Sequence, residues 1–185
     1  MRVFAALPLP QAAVDSISAI VAPLKKRHPG LKWVAESAYH LTLHFFGEAD
    51  DAALSSLGRV FEEPRLKRPV LDTRLGSLGQ FPPRGTPRVL WISLADEEGH
   101  LRSYWELFES AVAPLGWETD RRGFTPHVTL ARNNGANGAS GWEAGVEIPG
   151  TRFSISECVL FQSLLGRGGA QYVPLRRISF DGGAR

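Results

Sequence analysis

Apolar and polar positions change period several times along the chain, and each change predicts an element. Residues 11–24 carry Val14, Ile17, Ile20, Val21 and Leu24 at helical spacing behind Pro8 and Pro10, which predicts a first helix. Residues 32–46 alternate and are rich in aromatic and apolar side chains, as a strand should be. A second helix is expected behind Asp50, through Leu54, Leu57, Val60 and Phe61. Residues 70–78 and 89–94 read as strands joined by the turn-rich Phe81-Pro82-Pro83-Arg84-Gly85-Thr86-Pro87. A third helix spans about 101–112, with Tyr104, Trp105, Leu107, Phe108 and Ala111 on its apolar face. Strands follow at 125–131, 153–162 and 172–180, and the Gly- and Asn-rich stretch 133–141 between the first two is a flexible loop by composition.

Within this order one arrangement occurs twice. Val21-Ala22-Pro23-Leu24 closes the first helix, and His40-Leu41-Thr42-Leu43 opens a strand. Val112-Ala113-Pro114-Leu115 closes the third helix, and His127-Val128-Thr129-Leu130 opens another. Proline removes a hydrogen bond from a helix interior, so both tetrapeptides are expected to mark helix ends. With 5 His in 185 residues, a random chain of this composition would hold His-x-Thr-Leu only about 0.02 times. Two copies at matching points therefore predict two pseudo-symmetric halves. On a strand, strict alternation puts His40 and Thr42 on one face, with Leu41, Leu43 and Phe45 on the other. His127 and Thr129 repeat this against Val128 and Leu130. Two such strands would surround one small ligand with two imidazoles and two hydroxyls.

Composition narrows the classes. No run of about 18 apolar residues exists to span a membrane as a helix. The N-terminal Met1-Arg2-Val3-Phe4-Ala5-Ala6-Leu7 meets Pro8 and Pro10 too soon for a secretory signal and is expected to be a strand. The single Cys158 excludes an internal disulfide and a Cys-rich zinc site, which fits a cytoplasmic protein. The net charge of +2 is not that of a strong, non-specific nucleic-acid binder, so any such contact should be local.

Imidazole titrates near neutrality, so one histidine can act as a base while the other acts as an acid. Phosphodiester cleavage by water needs both, and threonine hydroxyls can hold the non-bridging oxygens. Such a pair predicts a rate that traces a bell against pH with both limbs near neutrality. A metal site is the main competitor. By strict alternation His44 shares the face of His40, but about 13 Å away, and no acidic residue alternates with the motif histidines. No metal or other cofactor is expected. No Gly-x-Ser-x-Gly elbow is present, and Cys158 lies in an apolar run that reads as core.

These residues resemble the 2H phosphoesterase superfamily and, within it, the bacterial RNA 2′,3′-cyclic phosphodiesterases, historically named 2′-5′ RNA ligases. The resemblance covers nearly the whole chain. It includes Arg2-Val3-Phe4-Ala5-Ala6-Leu7, Trp33-Val34, His40-Leu41-Thr42-Leu43-His44-Phe45-Phe46-Gly47-Glu48 and Pro87-Arg88-Val89-Leu90-Trp91. It continues through Phe124-Thr125-Pro126-His127-Val128-Thr129-Leu130-Ala131-Arg132, Gln162-Ser163-Leu164-Leu165 and Gly168-Gly169-Ala170-Gln171-Tyr172. It implies one α+β domain over residues 1–185, bilobal, each lobe an antiparallel sheet backed by helices, with the active cleft between the sheets. It also implies His40 as proton donor to the leaving 3′ oxygen, His127 as proton acceptor from water, and a 2′-phosphate product.

Arg132 looks like the family's phosphate-contacting arginine, although strict alternation puts it opposite His127, so a strand end or bulge must turn it in. Phe45 and Tyr172 are candidate base-stacking aromatics, with packing an equal reading for Phe45. The implied partners are RNA ends carrying a 2′,3′-cyclic phosphate, such as tRNA halves, acted on by a monomer. Three alternatives stay open: 2′-5′ ligation from the same site, a small cyclic nucleotide substrate, and an RNA-end binder without turnover.

Overall fold

The structure, a computed structural model, describes residues 1–118, 123–133, 135, 141–143, 145–166 and 169–181. The chain runs β1 (Arg2–Pro8), α1 (Gln11–Arg27), β2 (Lys32–Trp33), β3 (His40–Glu48), α2 (Asp51–Val60), β4 (Leu71–Phe81) and β5 (Val89–Leu94). It continues with α3 (His100–Val112), β6 (His127–Arg132), β7 (Arg152–Ile155), β8 (Glu157–Gly166) and β9 (Gly169–Ser179). The stretch 133–141 lies mostly outside the described residues.

The strands form an antiparallel sheet in the order β7-β4-β5-β6-β3-β1-β8-β9, with β2 beside β6. Outward from the β6/β3 junction the two halves match strand for strand: β5 corresponds to β1, β4 to β8, β7 to β9. The junction is one residue pair, Leu41 opposite Val128, the middle residues of the two His-x-Thr motifs. The duplicated motif therefore sits on a pseudo-twofold axis. Ser156 alone separates β7 from β8, which lie in opposite halves, and its carbonyl accepts the Phe180 N–H at 2.8 Å. The single strand expected over 153–162 is thus two.

A buried cluster takes Leu7, Leu41, Leu90, Ile92 and Val128 from both halves of the sheet and Ile17, Leu57 and Phe108 from the three helices. Asp50 caps α2 by accepting from Ala53 N–H at 2.8 Å, and Leu57 and Val60 fill its inner face. The Asp96 carboxylate accepts from Leu101 N–H and Arg102 N–H, both at 2.9 Å, where α3 begins.

The two proline tetrapeptides behave differently. Pro114 stands in a short 3-10 turn over Ala113–Leu115, closed by Gly116 at φ 91°, a left-handed conformation that glycine adopts without strain. Pro23, by contrast, lies inside α1, which runs on to Arg27 and closes with His28 N–H on the Leu24 carbonyl. Pro23 is exposed, so the carbonyl it leaves unbonded can face water. Lys25 follows the first tetrapeptide where Gly116 follows the second. The glycine, not the proline, makes the stop. The strand expected over 32–46 is also interrupted: after β2, residues Glu36–Ala38 form a 3-10 turn, and pairing resumes at His40.

Candidate active site

The two motif histidines have the same local chemistry. His40 Nδ1 lies 2.7 Å from the Ala38 carbonyl, and His127 Nδ1 lies 2.7 Å from the Thr125 carbonyl. A carbonyl only accepts, so each Nδ1 carries the hydrogen and each Nε2 is left as the working nitrogen. Both rings are half-buried, as are Thr42 and Thr129 on the same face. Neither threonine hydroxyl bonds another described residue, so both remain available to a ligand.

Each strand then bulges at the same point. Ala5 pairs with His44 and Ala6 with Thr42, leaving Leu43 extra in β3. Leu90 pairs with Ala131 and Trp91 with Thr129, leaving Leu130 extra in β6. An added residue reverses the facing of everything beyond it. Leu43 and His44 are consequently both buried on the core side, as are Leu130 and Ala131, while Phe45 and Arg132 turn outward.

Three expectations follow a different course from strict alternation as a result. Arg132 stands on the face of His127, as the resemblance requires. Phe45 joins the face of His40, is 64% exposed, and leaves the Leu41 and Leu43 face on which alternation placed it. His44 leaves the face of His40, is 7% exposed, and bonds Glu109 Oε1 of α3 through Nδ1 at 2.7 Å.

Aromatic rings wall each histidine. The His40 ring lies 5.0 Å from Phe4 and 5.3 Å, edge-on, from Tyr172, and Phe4 also touches Phe45 at 5.8 Å. The His127 ring lies 5.1 Å from Phe81 and 5.9 Å from Trp91. The Trp91 indole covers Gly79, where a Cβ would come within 2.2 Å of it, so only glycine fits beneath the ring. Sequence reasoning brought in Tyr172 and Phe45 but gave Phe4, Phe81 and Trp91 no part in the site. Their signal was present in Arg2-Val3-Phe4-Ala5-Ala6-Leu7, where Val3, Ala5 and Leu7 form the core face and leave Phe4 on the other.

This wall sets the electrostatics. Burial pushes the His40 imidazole down to about 4, with the nearby His127 and the Arg132 guanidinium lowering it further against the backbone bond at Nδ1. Burial and Arg132 also hold His127 below its ordinary value. The Tyr172 hydroxyl is pushed up by burial, with Arg132 and Arg2 acting the other way. Arg132 thus reaches all three groups electrostatically. Both histidines are thus held toward the neutral form in the free protein, and the limbs expected near neutrality move down.

Cys158 is buried, and its thiol is pushed up to about 12. Among the described residues no three His, Cys, Asp or Glu side chains gather to hold a metal ion, and no helix is long and apolar enough to cross a membrane.

An antiparallel sheet backed by helices, carrying two carbonyl-anchored histidines with two threonines and an arginine on the same face, is the arrangement of a two-histidine phosphoesterase. A profile of the LigT-like phosphoesterases matches residues 7–91. The chain is 34% identical over 194 residues to the RNA 2′,3′-cyclic phosphodiesterase of Thermus thermophilus, covering 98% of this chain and 91% of that one. The chain belongs to the LigT-like phosphoesterase family.

The protein of the same name from Geobacillus stearothermophilus is 30% identical over 162 residues, a match covering 86% of this chain and 51% of the relative. This chain thus spans about half of that protein's length. The crystal structure of Escherichia coli LigT complexed with 3′-AMP is similar at a TM-score of 0.74 and 26% identity, over 97% of each chain.

Proposed function

We propose that the chain hydrolyses RNA ends carrying a 2′,3′-cyclic phosphate to 2′-phosphomonoesters. The observation that carries this reading is the matched pair of histidines, each with Nδ1 anchored to a carbonyl and Nε2 left for a ligand. Thr42 and Thr129 stand ready to donate to the non-bridging oxygens, and Arg132 supplies a positive charge within reach of both rings.

His127 Nε2 takes a proton from water as the water oxygen forms its bond to phosphorus. The bond from phosphorus to the ribose 3′ oxygen breaks, and His40 Nε2–H gives its proton to that oxygen. The product carries a 2′-phosphate and a free 3′ hydroxyl. The motifs alone do not distinguish donor from acceptor, but their surroundings differ. Half-buried aromatic rings flank both histidines. The exposed ring among the described residues, Phe45, lies on the His40 side, so a base stacked there brings its own ribose, and the leaving oxygen, to His40.

The 3′-AMP held by the E. coli relative supports a nucleotide-sized occupant for this cleft. Residues 1–185 act as one domain in this reading, since a single buried cluster joins both halves of the sheet. The test is to offer an RNA with a 2′,3′-cyclic phosphate end and identify the product. A 2′-phosphate is expected. A 3′-phosphate would make the 2′ oxygen the leaving group and overturn the product assignment, and binding without turnover would overturn the reading.

A further inference from the structure

β2 is only two residues long, yet it fixes one side chain beside Arg132. Lys32 pairs with Arg132 and Trp33 with Ala131 in the β2–β6 register. Trp33 packs against the core, so alternation places Lys32 on the opposite face, which is the face of Arg132. The segment is held on both sides of Lys32. Leu31 is buried, the Trp33 Nε1–H donates to the His28 carbonyl at 3.1 Å, and the Val34 N–H donates to the bulge residue Leu130 at 2.8 Å.

Two cations directly opposite each other on neighbouring strands repel. Among the described residues no carboxylate pairs with either Lys32 or Arg132. Arg132 stands on the face of His127, and its charge acts on both histidines. An anion between the two cations would relieve the repulsion, and a phosphate held at the histidines would lie to the Arg132 side of it.

We propose that Lys32 and Arg132 together hold a second phosphate, the phosphodiester next along the RNA from the cyclic end. The inference rests on the phosphodiesterase reading and names its substrate more narrowly: a polynucleotide end, preferred over a mononucleoside cyclic phosphate. Lys32 is a specificity-determining residue in this arrangement, and the chemistry at phosphorus does not involve it.

The experiment compares a mononucleoside 2′,3′-cyclic phosphate with a dinucleotide and a longer oligonucleotide ending in the same group. Wild type, Lys32→Ala, Lys32→Glu and Lys32→Arg are assayed across a range of salt. Lys32→Ala should raise KM for the oligonucleotide and the dinucleotide by roughly fivefold, the scale of one partly exposed charged contact, with kcat unchanged. The slope of log kcat/KM against log salt should flatten by about 0.7 on those substrates. Lys32→Glu should raise KM further, Lys32→Arg should restore it, and the mononucleoside should not respond.

Equal shifts on all three substrates would place Lys32 at the scissile phosphate, and no shift on any would remove the subsite; either outcome overturns the proposal. If wild type turns over none of them, the phosphodiesterase reading fails. Titration with an oligonucleotide ending in a 2′-phosphate then decides Lys32 separately, because weaker binding by Lys32→Ala supports the contact and equal binding rejects it.

Discussion

The halves of the sheet are alike up to the bulge and different beyond it. Each offers a histidine, a buried aliphatic, a threonine and a bulged leucine in the same order, and each histidine is anchored in the same way. The next two positions diverge. In β3 they are His44, turned into the core against Glu109, and the exposed Phe45; in β6 they are the buried Ala131 and Arg132. A pseudo-symmetric frame thus gives the two histidines the same anchoring, and one pair of positions makes their surroundings differ. The exposed Phe45 makes the β3 end suit a base, and Arg132 makes the β6 end suit phosphate.

The strongest break in the comparison is to remove either histidine. His40→Ala and His127→Ala should each lower kcat by about 10²- to 10⁴-fold on the cyclic phosphate, with thermal unfolding little changed. Activity within tenfold of wild type in either variant would end the acid–base assignment. Chelating agents should leave the wild-type rate unchanged.

Smaller effects should separate the two ends of the cleft. Arg132→Ala removes a charged contact to phosphate and should lower kcat/KM by about 10- to 100-fold. Phe45→Ala should act on KM alone, by roughly tenfold, since a stacked base is worth about 1–3 kcal/mol and the reacting phosphate is not touched. If Phe45→Ala instead lowered kcat as Arg132→Ala does, the aromatic and cationic ends would not have distinct tasks.

Much of this site was legible in the sequence, and the limit of legibility falls at the bulges. His40, Thr42, His127 and Thr129 stood out because a duplicated spacing on a strand has one geometric meaning. A bulge adds a residue without a characteristic composition, so strict alternation misplaced His44 and Phe45 and left Arg132 on the wrong face. The repeat itself held the missing signal. Arg132 and Phe45 both lie three residues after the motif threonine, so turning one inward turns the other. Fold-level expectations failed for a similar reason: Pro23 could not be told from Pro114 without weighing Lys25 against Gly116.

The pH profile should sharpen the comparison further. Turnover needs one proton on the histidine pair. Both imidazoles are held below about 6.5 in the free protein, and that proton is lost as pH rises through their values. The alkaline limb of kcat/KM should therefore lie below about 6.5. A bound phosphate anion favours the charged imidazoles, so the limb of kcat should lie at higher pH. Arg132→Ala removes a charge that lowers both histidines and should shift the kcat/KM limb upward, whereas Phe45→Ala should leave it in place. Coincident limbs above pH 7 in the wild type would contradict this electrostatic picture.

The smallest effect on chemistry belongs to the residue with the largest local effect on packing. His44 is the β3 counterpart of Ala131, and it fills the core side with a ring 4.6 Å from Phe46 and a bond to Glu109, itself 7% exposed. Removing one partner leaves the other polar group buried and unmatched, and Glu109 Oε2 already has no hydrogen-bond partner among the described residues. His44→Ala should cost about 3 kcal/mol, a fall in Tm of roughly 6–12 °C, with kcat on the cyclic phosphate within about twofold of wild type. The same change at Glu109 should mimic it, and the double variant should cost less than the two single costs added. Loss of turnover in folded His44→Ala would show that the core side of the bulge also positions Thr42, and the division between a structural face and a chemical face would have to be redrawn.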